Sequence, residues 1–129
     1  MERSSTYVCF LQALNVVNAA LDLYRDSLTL RSLLSAAQAE LEGCDFCVAI
    51  VDDELPSRPV DHVTIRLHAG GFVVVSHGRM ADEVDWHVSR SDLTRIMRDP
   101  RFFLDGPERL DLGWLKSRLE RLAAGDQSA

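Results

Sequence analysis

A β-hairpin between residues 60 and 78 constrains the fold more than any other stretch of the chain. Its sequence is VDHVTIRLH, then AGG, then FVVVSHG. The apolar residues of the first arm alternate with polar ones, which indicates a strand with one buried face. Either Ala69-Gly70 or Gly70-Gly71 can form the two-residue turn, because glycine accepts the positive φ angles that such turns need. Both turns give the same two faces.

The hairpin is therefore predicted to have one apolar and one mixed face. The apolar face combines Val63, Ile65, Leu67, Phe72 and Val74. The mixed face combines His62, Thr64, Arg66, His68, Val73, Val75 and His77. With the Ala69-Gly70 turn, His62 would stand directly opposite His77.

The segment from Glu83 to Val88 alternates in the same way and predicts a further strand. Val84 and Trp86 join the face of Val74 if the connection after Ser76 contains an odd number of residues. Odd hairpin loops with a nearby glycine are common. We therefore expect an antiparallel meander in which Trp86 and Ile65 lie on the same apolar face.

The whole chain is predicted to form one α+β domain over residues 1–129. A four-stranded antiparallel sheet, mainly a meander, has helices packed on one face, in the order α-α-β-β-β-β-α-α. Residues 5–42 form a helical part, 44–88 the sheet, 89–124 the C-terminal helices and 125–129 a frayed tail. The first helix, to about Arg25, is apolar around most of its circumference, so it is either buried on several sides or in contact with a second copy.

Charge and composition favour a cytoplasmic protein that binds neither nucleic acid nor membrane. The net charge of −6 opposes binding to polyanions. Three cysteines, an odd number, do not make a disulfide framework, which fits a reducing cytoplasm. Polar residues interrupt the N-terminal apolar stretch before it reaches the length of a membrane span, and a signal peptide is not expected.

The leading hypothesis for function is a non-enzymatic protein–protein interaction module that forms a homodimer. The chain lacks the G-x-S-x-G, Walker A, H-E-x-x-H and G-x-G-x-x-G motifs. Its size and acidity are those of secretion chaperones, immunity proteins and adaptors. The contact surface is predicted on the first helix or on the mixed face, since two valines there need cover. The surface residues are Arg66, Val73, Val75, His77, Asp85 and His87.

Two alternatives remain open. A histidine row of His62, His77 and His87 on the open sheet face could serve a small enzyme, or bind a divalent metal such as zinc, or respond to pH near 6. No other cofactor is predicted. The second alternative is a pocket that holds an apolar ligand between Trp86, Phe102, Phe103 and the first helix.

Overall fold

The chain folds into a four-stranded sheet with helices packed on one face. The computed structural model describes residues 5–28, 30–54, 57–69, 71–78, 83–106 and 109–124. Its elements are α1 (Ser5–Leu23), α2 (Arg31–Leu41), β1 (Asp45–Val51), β2 (Pro59–His68), β3 (Gly71–Ser76), β4 (Trp86–Ser89), α3 (Arg90–Arg98), α4 (Pro100–Leu104) and α5 (Gly113–Ala123). The predicted α+β class and the order of helices and strands are confirmed. The predicted tail, residues 125–129, lies outside the described residues.

The sheet is mixed, so the prediction of an entirely antiparallel meander is wrong in its last strand. The strands lie in the order β3-β2-β1-β4. β2 pairs antiparallel with both β1 and β3, whereas β4 pairs parallel with β1. The connection of residues 77–85 therefore joins opposite edges of the sheet.

The two ends of that connection lie at the same level of the sheet. Ser76 pairs with Thr64, and Thr64 pairs with Cys47. On the other side of Cys47, the backbone N–H of Asp85 donates to its carbonyl at 2.9 Å. Both ends of the connection thus lie beside one row of residues, separated by about three strand spacings, or ~14 Å. Nine residues span that distance easily.

The sheet face that points away from the helices is covered at its centre. Cys47, Ala49 and Thr64 point to this side and are buried. The hydroxyl of Thr64 donates to the carbonyl of Gly78 at 2.9 Å, which places the start of the crossing connection against this face. The expectation of an open polar face is therefore wrong at the centre of the sheet.

The helix-facing side carries the apolar core as predicted. Ile65 pairs with Phe46, and Trp86 pairs with Val48, two positions along the same strand. Trp86 and Ile65 consequently lie on the same face, which confirms the predicted parity even though β4 lies beside β1 and not beside β3. Helix residues Phe10, Val17 and Leu93 complete this core.

A β-bulge in β3 changes the position of one predicted site residue. His68 pairs with Gly71, and Ala69 has a φ of +54°, so the turn consists of Ala69 and Gly70, the latter outside the described residues. Ile65 pairs with Val74 but Thr64 pairs with Ser76, which leaves Val75 as the inserted residue. The bulge reverses the faces of the residues after it. His77 therefore does not stand opposite His62.

Helix α3 begins at a side-chain cap. The Ser89 hydroxyl accepts from the N–H of Asp92 at 3.1 Å and begins α3. α1 ends at Leu23, slightly earlier than predicted, and α2 begins at Arg31. The segment Phe102–Leu104 belongs to the short helix α4, which begins with proline.

The first helix is also long and apolar enough to cross a membrane. Residues 6–23 pass this test by length and mean hydropathy, with 39% of the segment buried inside the protein. A core helix of a soluble protein passes the same test. The predicted absence of a membrane partner therefore stays a prediction.

Candidate functional site

A cavity of about 150 Å³ lies where the sheet meets α1, α3, α4 and α5. Its apolar lining, which we call the aromatic pocket, consists of Val17, Phe72, Trp86, Val88, Ile96, Phe102, Phe103, Leu110, Leu112 and Trp114. Four charged residues complete the lining: Asp92, Arg95, Arg109 and Asp111. A buried cavity of this volume is large enough to hold benzene.

Two stacked tryptophans form the most ordered part of the pocket wall. Trp86 belongs to β4, where strand alternation directs it to the helix side. Trp114 comes from the first turn of α5 and lies over the sheet. Their ring centroids are 5.3 Å apart with planes 12° apart, and Trp114 also contacts Phe72, at 5.4 Å. The two rings are 5% and 9% exposed, so packing fixes them before any ligand arrives.

Both indole N–H groups of these tryptophans are buried without a hydrogen-bond partner in the described part of the chain. Burying a donor without a partner costs about 1–3 kcal/mol. Buried tryptophans normally find an acceptor for this group. Both nitrogens are also inaccessible to a water molecule, so the two donors lie within the packed wall and their cost falls on the stability of the fold.

The four charged residues of the pocket are exposed, and the two arginines lie against the ring of Phe102. The guanidinium carbons of Arg95 and Arg109 lie 5.1 Å and 4.3 Å from the centre of its ring. Arg109 also donates to the Phe102 carbonyl at 2.9 Å. Within the described residues neither arginine forms an ion pair with Asp92 or Asp111. The mouth of the pocket therefore carries charged groups that are not neutralised by direct contact.

The titratable side chains among the pocket residues that the structure describes are two aspartates and two arginines. Only Asp92 and Asp111 could act as a nucleophile or a base, and both are exposed.

The structure brings together the residues that the sequence suggested for an apolar pocket. Trp86, Phe102, Phe103 and the first helix, through Val17, all line the cavity. Sequence reasoning missed Trp114, Arg95 and Arg109 as pocket residues. Nothing in the local sequence places Trp114 over Trp86, because that contact depends on where α5 packs against the sheet.

The three histidines of the predicted row are divided between the two faces of the sheet. His62 and His87 both pair with Ala49, from opposite sides, on the face away from the helices. Their backbones are two strand spacings apart, about 10 Å. The Nε2 atom of His62 is buried without a partner in the part of the chain that the structure describes. Residues 5–28, 30–54, 57–69, 71–78, 83–106 and 109–124 contain no group of three potential metal ligands, and a metal site stays a prediction.

His77 lies on the helix side of the sheet because of the bulge. Its Nε2 atom is 2.9 Å from both carboxylate oxygens of Asp61. Its ring stacks on that of Tyr7, with centroids 3.9 Å apart and planes 7° apart. His77 thus connects the start of α1 to the end of the sheet. It does not lie on the mixed face, where the contact surface was predicted.

The remaining residues of the predicted surface have different environments. Asp85 is buried and accepts hydrogen bonds from the N–H of Cys47 and from Arg118 and Arg121. His87 is exposed. Arg66 pairs with Asp45 at 2.7 Å, and this hydrogen bond, together with the charge of Asp45, raises the pKa of Arg66.

Val73 and Val75 are exposed on the edge strand β3, as the prediction of an uncovered pair of valines requires. The geometry therefore leaves two features to explain: this exposed pair and the aromatic pocket.

Comparison of the chain with protein-family models, with curated proteins and with solved structures finds no match.

Proposed function

We propose that this protein is a non-enzymatic binding protein for a small, mainly apolar molecule that occupies the aromatic pocket. The observation that carries the proposal is a cavity of about 150 Å³, large enough to hold benzene, with a mainly apolar and aromatic lining. Ligand pockets are typically apolar with a few polar groups that fix orientation. The aromatic pocket has this composition.

The size of the pocket limits the ligand to about one six-membered ring. A larger molecule would have to leave part of its body in solvent beside Asp92 and Arg95. The pocket is bounded by elements from both ends of the chain, α1 and α5, so a bound molecule would stabilise the whole fold. A ligand that binds only the native state raises its stability by RT ln(1 + [L]/Kd).

The test is a titration with toluene, p-cresol and indole, followed by tryptophan fluorescence. The chain has two tryptophans, and both line the pocket, so the signal reports on this site alone. We expect saturable changes in emission and a rise in Tm. Ile96→Phe, which fills the cavity from α3, should weaken binding at least ~10-fold, the equivalent of ~1.4 kcal/mol.

Leu33→Phe on α2 is the matched control, since Leu33 is half-buried and does not line the pocket. It should bind the three compounds like the natural protein. Circular dichroism would establish that both variants are folded. If none of the three compounds changes the fluorescence or the Tm at millimolar concentration, the proposal is rejected.

A second candidate function, association with another copy of the chain, is favoured by the exposed valines of β3. Val73 and Val75 are 44% and 36% exposed. In a two-fold symmetric dimer the same patch of each copy faces the other, so the valines would cover each other. Light scattering across a range of concentrations tests this candidate, and Val73→Glu should shift the protein towards monomer. A monomer at all concentrations would contradict it.

A further inference from the structure

We infer that a second copy of this chain docks on the exposed face of α1, with the two helices antiparallel about a two-fold axis at Asn15. This inference does not rest on the aromatic pocket. It places the contact between copies on the first helix, a different surface from the exposed valines of β3.

The exposed side chains of α1 follow one side of the helix. Phe10, Val17 and Leu21 point into the core. On the opposite side, exposed side chains recur at the spacing of three or four residues that places them on one helix face. We call this set the outer face of α1, and its members are Val8, Gln12, Asn15, Ala19, Asp22 and Leu23.

The outer face is almost uncharged. Among its described side chains only Asp22 carries a charge, and it forms an ion pair with Arg25 at 3.2 Å. On α3, in contrast, four of the five exposed side chains are charged. They are Arg90, Asp92, Arg95 and Arg98. A helix face in water is normally rich in charged residues, whereas the centres of protein interfaces are depleted of them. The outer face of α1 therefore has the composition of a covered surface.

Helix α1 is also more apolar than its burial in one copy of the chain requires. Residues 6–23 have the mean hydropathy of a helix that could cross a membrane, yet 39% of the segment is buried inside the protein. Val8 and Leu23, towards the two ends of the outer face, are 40% and 61% exposed. Covering these two side chains would remove apolar surface from water.

The order of side chains along the outer face suits a second copy of the same helix. Val8 and Leu23 lie about two turns before and after Asn15, and Gln12 and Ala19 about one turn before and after it. In an antiparallel pair about a two-fold axis, each residue meets a residue of the partner that lies equally far beyond the axis. Val8 then covers Leu23 of the partner subunit, and Ala19 leaves room for the longer Gln12. The Asn15 amides at the axis can bond to each other, because an amide both donates and accepts.

The charge of the protein also favours this occupant. Each copy has a net charge of −6, so two copies meet with the least repulsion through a surface that is nearly free of charge. A helix that lies on an anionic membrane carries lysine and arginine on its polar face. The described side chains of the outer face include neither residue.

Sedimentation equilibrium of the full chain tests the inference. One pair of helices makes a small interface, so we expect a weak dimer with a Kd of about 10–100 μM. Added salt should strengthen the dimer, because it screens the repulsion between two acidic copies. At the lower concentrations of an unfolding measurement the protein is then monomeric, and substitutions on the outer face should change its stability little.

Ala19→Glu should weaken the dimer at least ~10-fold, since it adds bulk and negative charge opposite Gln12 of the partner subunit. Ala39→Glu, at an exposed position of α2, is the matched control and should associate like the natural protein. Gln12→Arg combined with Ala19→Glu should restore the dimer. The antiparallel pairing places each introduced arginine beside an introduced glutamate of the partner subunit, whereas parallel helices would place like charges together.

The inference is wrong if the natural protein stays monomeric from well below to well above the expected Kd, or if Ala39→Glu weakens the dimer as much as Ala19→Glu. It is also wrong if Val73→Glu removes the dimer and Ala19→Glu does not, which would assign the contact to β3. A doubly substituted protein that stays monomeric contradicts the antiparallel pairing. A monomer that binds phosphatidylcholine vesicles would assign the outer face to lipid and reject the inference.

Discussion

The side-chain amide of Asn18 forms two hydrogen bonds with the backbone of Phe72. Its Nδ2 donates to the carbonyl at 2.8 Å, and its Oδ1 accepts from the N–H at 2.9 Å. β3 is an edge strand, so both backbone groups face away from the sheet. Helix α1 therefore completes the hydrogen bonding that a neighbouring strand would otherwise provide, and it blocks this point of the edge against pairing with another chain.

Asn18→Asp should destabilise the protein by about 1–3 kcal/mol. The carboxylate keeps the acceptor for the Phe72 N–H but loses the donor, and one of its oxygens then faces the Phe72 carbonyl. Urea unfolding measures the change as a lower midpoint at constant m-value. Asn15→Asp, on the exposed side of the same helix, controls for the added charge and should change stability by less than about 0.5 kcal/mol. Equal effects of the two substitutions would contradict the proposed role of Asn18.

The carboxylate of Asp85 should contribute more to stability than that of Glu83, although both contact Arg121. The Asp85 side chain is 7% exposed and that of Glu83 is 80% exposed. Asp85→Ala removes the carboxylate that accepts hydrogen bonds from the N–H of Cys47 and from Arg118. We expect a loss of about 1–3 kcal/mol.

Glu83→Ala removes only an exposed ion pair and should cost less than about 1 kcal/mol. Chemical unfolding of the two variants under the same conditions makes the comparison. If the two substitutions cost the same, the carboxylate of Asp85 does not hold the start of β4 to β1. Because the Asp85 pair is partly shielded from solvent, its contribution should also resist added salt better than that of Glu83.

Alternation in the sequence predicts which side chains face the core but not which strands are neighbours. Trp86 faces the same side as Ile65 both in the predicted meander and in the structure, where they pair with Val48 and Phe46, two positions apart on β1. The parallel pairing with β1 depends on the long connection of residues 77–85, and its crossing involves contacts such as Thr64 with Gly78 that no local pattern encodes. The meander was therefore a reasonable but incorrect prediction.

The three histidines do not form the predicted row, and the physical reason lies in one strand. One inserted residue, Val75, reverses the faces beyond it and takes His77 to Asp61 and Tyr7. No residue with a required backbone conformation marks the bulge in the sequence. Part of the aromatic pocket could be predicted, since Trp86, Phe102 and Phe103 are large apolar side chains that are expected beside the core. Its second tryptophan depends on where α5 packs, which is a property of the tertiary fold.

The contact between Tyr7 and His77 should be measurable as a coupling between the two side chains. Stacked aromatic pairs contribute about 0.5–1.5 kcal/mol beyond their buried area, and His77 is partly exposed, so we expect a value near the lower end. A double-mutant cycle with Tyr7→Leu and His77→Leu gives this energy directly. Hydrogen exchange should show that either substitution increases opening at the start of α1.

His68→Leu is the control for that cycle, because His68 is mostly exposed and lies near Glu42 at the other end of the hairpin. Its effect should add to that of Tyr7→Leu without any coupling. A coupling energy of zero between Tyr7 and His77 would mean that the stacked geometry contributes nothing to the attachment of α1.

The stacking of Trp86 on Trp114 predicts a spectroscopic signature and a large stability cost when it is removed. Two indoles at 5.3 Å are close enough for their excited states to interact, so the near-ultraviolet circular dichroism should not equal the sum of the spectra of Trp86→Phe and Trp114→Phe. Trp114→Ala should cost about 3–5 kcal/mol, as expected for deleting a buried aromatic side chain. The reason is that Trp114 also contacts Phe46, at 5.3 Å, and Phe72, at 5.4 Å. Additive spectra from the folded single variants would show that the two rings do not stack, and the wall of the aromatic pocket would then have a different shape.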